Sequence, residues 1–441
     1  MHYPKVLVIS NNSFSKTDSN GRTLGNFFIG WPKDKLAQFC VSSDGANFDV
    51  CNNYYCVTDE EIVNAHLQFR KPHRTILKSI ESKELQGARG TGKKTALRMI
   101  VRNMMWNDGL WNTKVFQDWV QAFNPELVLV MFSDSFFILR IATHLSEQFN
   151  IPLMMFNTEG YYFFKQNYFR TKTKWDGLWF PLYQRQFKKQ VEKTMKRVSH
   201  TIYCNDLLKN DYVKKFGGEC SVLYTTSTLK CEERNYTALP FKCSYIGNLT
   251  FGRPKALLEV ADVLKSINPL WKLDVYGKAL KEEDEIMLRK HPNISFHGFI
   301  DYNEMLKVIK QSQILFHAES QIQSWNEGLR YGFSTKIADS LSSGACFVLY
   351  ANDKIACAQY IQETGAGWFA SDKTMLKMAI EDIVHNEQHR NTVLLKAKEL
   401  SAQNHNILIN CSKMLATINQ VVENYNKYKE TRANPCYQIE K

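Results

Sequence analysis

The residues best suited to chemistry lie in GFSTKIADSLSSGACFVLYA, Gly332–Ala351. Ser334 has the type and place of a helix N-cap, whose hydroxyl accepts an orphan backbone amide. Thr335 and Lys336 follow in the first turn, where unpaired N–H groups and the helix dipole favour an anion. Lys336 adds a full positive charge. Asp339 stands four residues after Thr335, on the same face, and three after Lys336. A diphosphate on the amides and Lys336, with a ribose diol on the Asp339 carboxylate, fits this spacing. An ordinary capped helix with a Lys336–Asp339 surface pair fits it equally.

Three further segments carry the same kind of signal. In SYIGNLTFGRPKALLEVADVL, Ser244–Leu264, a strand is expected to end at Gly247 and a loop with Gly252, Arg253 and Lys255 to lead into a helix. Each hydrogen bond to a charged group contributes about 1.5–3 kcal/mol. Arg253, Lys336 and two amides together would therefore suit the roughly 4–8 kcal/mol of a micromolar-to-millimolar substrate. In NNSFSKTDSNGRTLGNFF, Asn11–Phe28, Gly21 and Gly25 allow close approach of backbone to a ligand, and Arg22 adds charge. In PLMMFNTEGYYFF, Pro152–Phe164, Glu159 stands just past a strand end, where a carboxylate orients or deprotonates a hydroxyl. For these three the plain alternatives are a solvated loop, a βα loop and a turn acid. The next stretch, Tyr161–Gln190, interleaves aromatics with cations. It suits an anionic lipid surface, a glycan platform or a half-buried helix pair. GARGTGKKT, Gly87–Thr95, imitates a phosphate loop, but Lys94 occupies the place that needs Ser or Thr, so a basic loop is expected. No zinc-ligand spacing and no Asp-x-Asp on a strand end occurs, so no metal is expected.

These residues need positioning elements. Short apolar runs, many continuous, alternate with helix-length amphipathic stretches, the mark of a buried parallel sheet. Strands are predicted at Val6–Ser10, Phe39–Ser43, Leu127–Phe132, Leu153–Asn157, Thr201–Cys204 and Ser221–Tyr224. After a polar, aperiodic stretch the alternation resumes, with strands at Cys243–Gly247, Leu273–Tyr276, Ile294–Phe296, Ile314–His317 and Cys346–Tyr350. The predicted organisation is an N-terminal domain over 1–225, a linker over 226–242, a second domain over 243–403 and a long helix within 404–441 packing back on the first domain. The fold class is α/β: two doubly wound Rossmann-like domains facing each other across a cleft where ligands bind. Neither contains GxGxxG, which argues against a dinucleotide dehydrogenase.

Composition agrees. The chain has 441 residues, 44% hydrophobic and 23% charged, which excludes disordered and fibrous classes. Its 56 Lys and Arg against 44 Asp and Glu give +12, favouring polyanionic partners. The 11 cysteines form no CxxC pair and read as cytosolic thiols. The start, MHYPKVLVIS, lacks the features of a signal peptide and reads as a first strand.

Together these motifs resemble the GT-B glycosyltransferases, in particular the family four retaining, nucleotide-sugar-dependent enzymes of bacterial polysaccharide synthesis. SYIGNLTFGRPKALLEVADVL is similar to the family's strand, glycine loop and cation, with Arg253 at the usual diphosphate lysine and Asn248 at the nearby arginine. ISFHGFIDYNEMLKVIKQSQILFHAES is similar to the stretch whose Gly298, Phe299 and Ile300 backbone would border the base. GFSTKIADSLSSGACFVLYA resembles the donor motif, with Lys336 for the diphosphate and Asp339 for the ribose, and ETGAGWFASDKTMLKMAIEDIV, from Glu363, the closing glycine turn and helix. The family's paired glutamates would fall on Tyr331 and Asp339. The first place thus has no acid, and Glu327 and Glu319 are the acids nearby.

The resemblance implies a metal-independent hexosyltransferase without cofactor, using a nucleotide-diphosphate sugar as co-substrate and a glycan or lipid-linked hydroxyl as acceptor. It implies catalytic roles for Glu159, Arg253 and Lys336. Donor contacts would come from Gly247, Asn248, Lys255, Gly298, Phe299, Ile300, Ser334, Thr335 and Asp339, and a second loop from Gly21 and Arg22. The expected place is the cytoplasm, peripheral at the inner face of the membrane. Two alternatives stand beside it. One is a GT-B epimerase consuming the same donor without an acceptor. The other is a nucleic-acid-binding scaffold, against which stands the lack of any nucleic-acid motif.

Overall fold

The computed structural model describes residues 2–16, 18–42, 45–68, 75–77, 94–169, 171–237, 239–321 and 326–433. Gly87–Lys93 of the expected basic loop lie outside the described residues.

Two α/β units follow from the apolar runs. In the first, runs such as LVLVM and LMMFN are buried on both faces, as only a sheet sandwiched between helices permits. Its strands are β1 (Val6–Asn12), β2 (Leu36–Ser42), β3 (Tyr54–Cys56), β4 (Thr75–Leu77), β5 (Leu127–Met131), β6 (Leu153–Asn157), β7 (Val198–Tyr203) and β8 (Cys220–Val222). Among the described residues they form one eight-stranded sheet of order β4-β3-β2-β1-β5-β6-β7-β8. Every pairing is parallel except β3 with β4.

The second unit carries β9 (Cys243–Ile246), β10 (Leu273–Tyr276), β11 (Ile294–Gly298), β12 (Ile314–Ala318), β13 (Cys346–Tyr350) and β14 (Trp368–Ala370). They form a parallel sheet of order β11-β10-β9-β12-β13-β14. Strand order reverses between β1 and β5 in one unit and between β9 and β12 in the other, and open α/β sheets bind ligands outside the strand ends at such a reversal.

The first unit comprises the chain up to Leu223 together with Asn410 onward, and the second runs over Tyr224–Ile409. The C-terminal helix Ile407–Ala433 supplies Met414, Leu415, Ile418, Val421 and Val422 to the first unit's core. Its Tyr425 hydroxyl accepts from Arg197 at 2.7 Å and donates to Asn150 at 3.0 Å. Residues 226–237, within the stretch 226–242 expected as a linker, are bonded into the second unit. Arg234 donates to the Ser312 and Ser343 carbonyls, and Ser227 bridges to Asn406 in parallel. A segment that runs extended over a surface, held by its polar side chains, shows no period, and in sequence it resembles a connector.

Candidate functional site

The second unit's strand ends are shaped by close backbone contacts. The Gly247 amide donates to the Tyr276 carbonyl at 2.9 Å, and the Gly277 amide to Gly298 at 2.8 Å. A Cβ on Gly277 would stand 2.1 Å from the Gly247 oxygen, so glycine is required there. Gly247, Gly277 and Gly298 thus tie the ends of β9, β10 and β11 into one edge. Past Gly247 the chain turns through Phe251 and Gly252, at φ 58° and 75°, and enters the helix Arg253–Ile267. A phenylalanine in the left-handed region costs about 1–3 kcal/mol and marks functional loops more often than others.

This turn aims Arg253 at the β9–β12 reversal. Its Nε and Nη2 each donate to a Glu319 carboxylate oxygen at 2.8 Å, and Nη1 donates to the Asn248 carbonyl at 3.3 Å. His317 Nε2 stands 2.9 Å from the same carboxylate. Both members of the Arg253–Glu319 pair are largely buried. Burial pushes the Glu319 carboxyl up, but Arg253 and His317 outweigh it and hold it at about 2. Burial likewise lowers Arg253, and Glu319 more than reverses this. In sequence, Arg253 is expected as a cation for a diphosphate. The structure gives that charge an internal partner, because an uncompensated guanidinium is costly to bury. Asn248 and Lys255 are exposed on the same turn.

The helix Thr335–Ser342 starts where the Ser-Thr-Lys spacing places it. Ser334 is the N-cap, and its Oγ accepts the Lys336 amide at 3.3 Å. Thr335 and Lys336 are half-buried in the first turn. Asp339 is buried, not on the surface, and accepts a hydrogen bond from the Ser227 hydroxyl at 2.7 Å. Two residues on, Leu229 packs with Ile300 against Met305 and Leu315, and Thr228 Oγ1 stands 3.0 Å from the Tyr302 hydroxyl. Residues 227–229 therefore connect Asp339 to the Gly298–Ile300 segment, where Phe299 is 77% exposed. Sequence reasoning missed Ser227. Its signal was the hydroxyl run TTST, which carries no period. Tyr331, at the place of the family's first acid, is buried. Glu319 is engaged by Arg253, and Glu327 lies half-buried in the short helix Asn326–Leu329.

In the first unit, Gly21 sits in the helix Ser19–Asn26, and its amide bonds the Asp18 cap at 2.9 Å. A Cβ there would lie 2.3 Å from the Ser13 carbonyl, so its smallness serves the protein's own backbone, whereas the sequence reading assigned it to a ligand. Arg22, half-buried, follows in the same turn. At the β1–β5 reversal, buried Asp134 accepts from Lys94 at 2.8 and 3.2 Å. Lys94 thus pairs with an acid that sequence reasoning missed, though SDSF directly after LVLVMF placed it at a strand end. Glu159, past β6, is half-buried. Burial raises its carboxyl to about 7, Asp134 adds to the rise and Lys94 opposes it.

No family model matches the sequence, and no curated protein matches it either. The fold does match solved structures. HepE from Anabaena in complex with UDP superposes with a TM-score of 0.62 at 12% identity, covering 94% of this chain and 100% of that one. Sucrose-phosphate synthase from Thermosynechococcus elongatus gives 0.60 at 12% identity, covering 95% and 99%. The apo lipopolysaccharide outer core galactosyltransferase WaaB gives 0.57 at 12% identity, covering 95% and 99%. The chain has the two-domain, Rossmann-like GT-B fold.

Proposed function

We propose that this chain is a glycosyltransferase that moves a sugar from a nucleotide-diphosphate sugar to a hydroxyl of a glycan or glycolipid acceptor. The observation that carries the reading is the Ser334-capped helix, with Lys336 in its first turn and Asp339 buried beside Ser227. The capped end and Lys336 are suited to the diphosphate. Asp339, oriented by Ser227, is suited to the ribose diol. Gly298, Phe299 and Ile300 lie next along the strand ends, where a base would be bordered by backbone.

In this reading, cleavage of the anomeric bond leaves charge on the departing diphosphate, and Lys336 with the helix amides stabilises it as it grows. Arg253 acts from a fixed position, because Glu319 and Asn248 hold its guanidinium. Charge stabilisation by these groups removes the need for a metal ion. A retaining course needs no covalent nucleophile: the departing phosphate takes the acceptor proton on the same face. Glu159, near neutrality in its pKa, is suited to hold or accept an acceptor proton. A role in polysaccharide synthesis follows from the donor-motif resemblance.

The test is a thermal-shift screen of nucleotide sugars, beginning with UDP-glucose because HepE of the same fold is solved with it. Product analysis with and without acceptor follows. A stabilising donor that is transferred only when acceptor is present supports the reading. A donor converted without acceptor would instead make the chain an epimerase.

A further inference from the structure

The helix Asp176–Met195 has two unlike faces. Phe180, Tyr183, Phe187 and Val191 recur at helical spacing and are buried. The other side runs Leu178, Leu182, Arg185 and Lys189, spaced four, three and four residues apart, so they form one stripe. Leu178 is 61% exposed, Leu182 is 40% exposed, and Trp175 at the N-cap is 58% exposed. Arg185 and Lys189 are exposed beyond them. Lys172 and Lys174 stand just before the helix, also exposed, with the Lys174 ammonium 5.5 Å from the centre of the Trp175 ring. Residues 165–189 carry seven Lys or Arg and a single acid, Asp176. That acid is engaged locally, accepting from the Thr173 amide and hydroxyl at 2.9 and 2.7 Å.

We infer that this helix face docks on an anionic lipid surface, with Trp175, Leu178 and Leu182 entering the headgroup layer and Arg185 and Lys189 meeting lipid phosphates. The make-up of the exposed face is the argument. Trp175, Leu178 and Leu182 form a short apolar patch with Lys172 and Lys174 before it and Arg185 and Lys189 beyond it. A helix lying in the plane of the interface buries such a patch about 5–10 Å deep and keeps its flanking cations at the phosphates. Three partly exposed apolar side chains are too few for the roughly 800 Å² per partner of a stable protein interface. A glycan would use the single Trp175 ring and leave Leu178 and Leu182, which offer neither a stacking face nor a hydrogen bond, uncovered. Among the described residues no helix is long and apolar enough to cross a membrane, so the contact is peripheral. The inference stands on this helix alone and is independent of the donor reading.

The test is co-sedimentation of the full chain with vesicles of phosphatidylglycerol and phosphatidylcholine in equal parts, against pure phosphatidylcholine. Binding is expected to the first and not to the second, and to weaken with salt. Leu178→Ser with Leu182→Ser should reduce it at least about tenfold. Arg185→Gln with Lys189→Gln should reduce it about thirtyfold. All four sites are exposed, so melting temperatures should stay at the wild-type value, and the charge pair serves if the leucine pair fails to fold. Three results would overturn the inference: no binding to anionic vesicles, equal binding to both vesicle types, or variants that bind like wild type. A dimer dissolved by the leucine pair in the absence of lipid binding would assign the face to a second copy and overturn it as well. Nucleotide-sugar stabilisation is measured without vesicles, so either proposal can fail while the other stands.

Discussion

The two α/β units each hold an acid just past a parallel strand, and the two acids behave in opposite ways. Glu319, after β12, is buried but clamped by Arg253 and approached by His317, and its carboxyl is held at about 2. Glu159, after β6, is only half-buried but feels another carboxylate, Asp134, which accepts from Lys94, and it is pushed up to about 7. Burial raises both. The sign of the net shift is set by the charge that faces the acid. One unit therefore presents a permanently ionised, rigid pair, and the other an acid able to exchange a proton near neutrality.

The largest expected effect comes from breaking the rigid pair. Arg253→Ala leaves Glu319 buried beside no guanidinium and should destabilise the fold by about 3–5 kcal/mol in denaturant unfolding. Replacing both residues by apolar ones of similar volume should restore most of that loss. If Arg253→Ala is as stable as wild type, the pair is not the buried clamp described.

A pH titration of stability sharpens the contrast. Glu159 sits above its ordinary 4.5, so its contribution is full below 4.5 and is lost as pH rises toward 7. Glu319 sits below 4.5, so its contribution is present above 4.5 and is lost as pH falls toward 2. Each can tilt the curve by at most about 1.4 kcal/mol per pH unit. Glu159→Gln should flatten only the upper limb and Glu319→Gln only the lower. A limb unchanged by its own variant would refute the assignment for that acid.

Lys336→Ala should reduce kcat/KM for sugar transfer by about 1.5–3 kcal/mol, roughly 10- to 150-fold, with an unchanged melting temperature. Full activity in that variant would remove the donor assignment. The smallest effect is expected from Ser227→Ala, which deprives the Asp339 carboxylate of one hydrogen bond. It should cost about 1 kcal/mol in stability and raise the KM for donor. A changed stability with an unchanged KM would make Ser227 structural only.

The long apolar strands were legible before the structure. LVLVM, LMMFN and CFVLY are buried on both faces and appear as continuous runs. Of the three-residue strands, β8 was expected at Ser221–Tyr224, whereas β3, β4 and β14 were missed, since three residues hold little pattern. The cap at Ser334 was legible because capping is local. The partners of Arg253 and Asp339 were not, because 66 and 112 residues separate each from the group it meets.

The sequence by itself determined what depends on near neighbours: which runs become strands, where the Thr335–Ser342 helix begins, and that its first turn carries a cation. Tertiary structure alone decided which charge is neutralised, which acid is raised, and that Ser227 reaches Asp339. The physical reason is that hydrogen bonding and periodicity act over a few residues, whereas electrostatic environment is set by whatever the fold brings within a few ångströms.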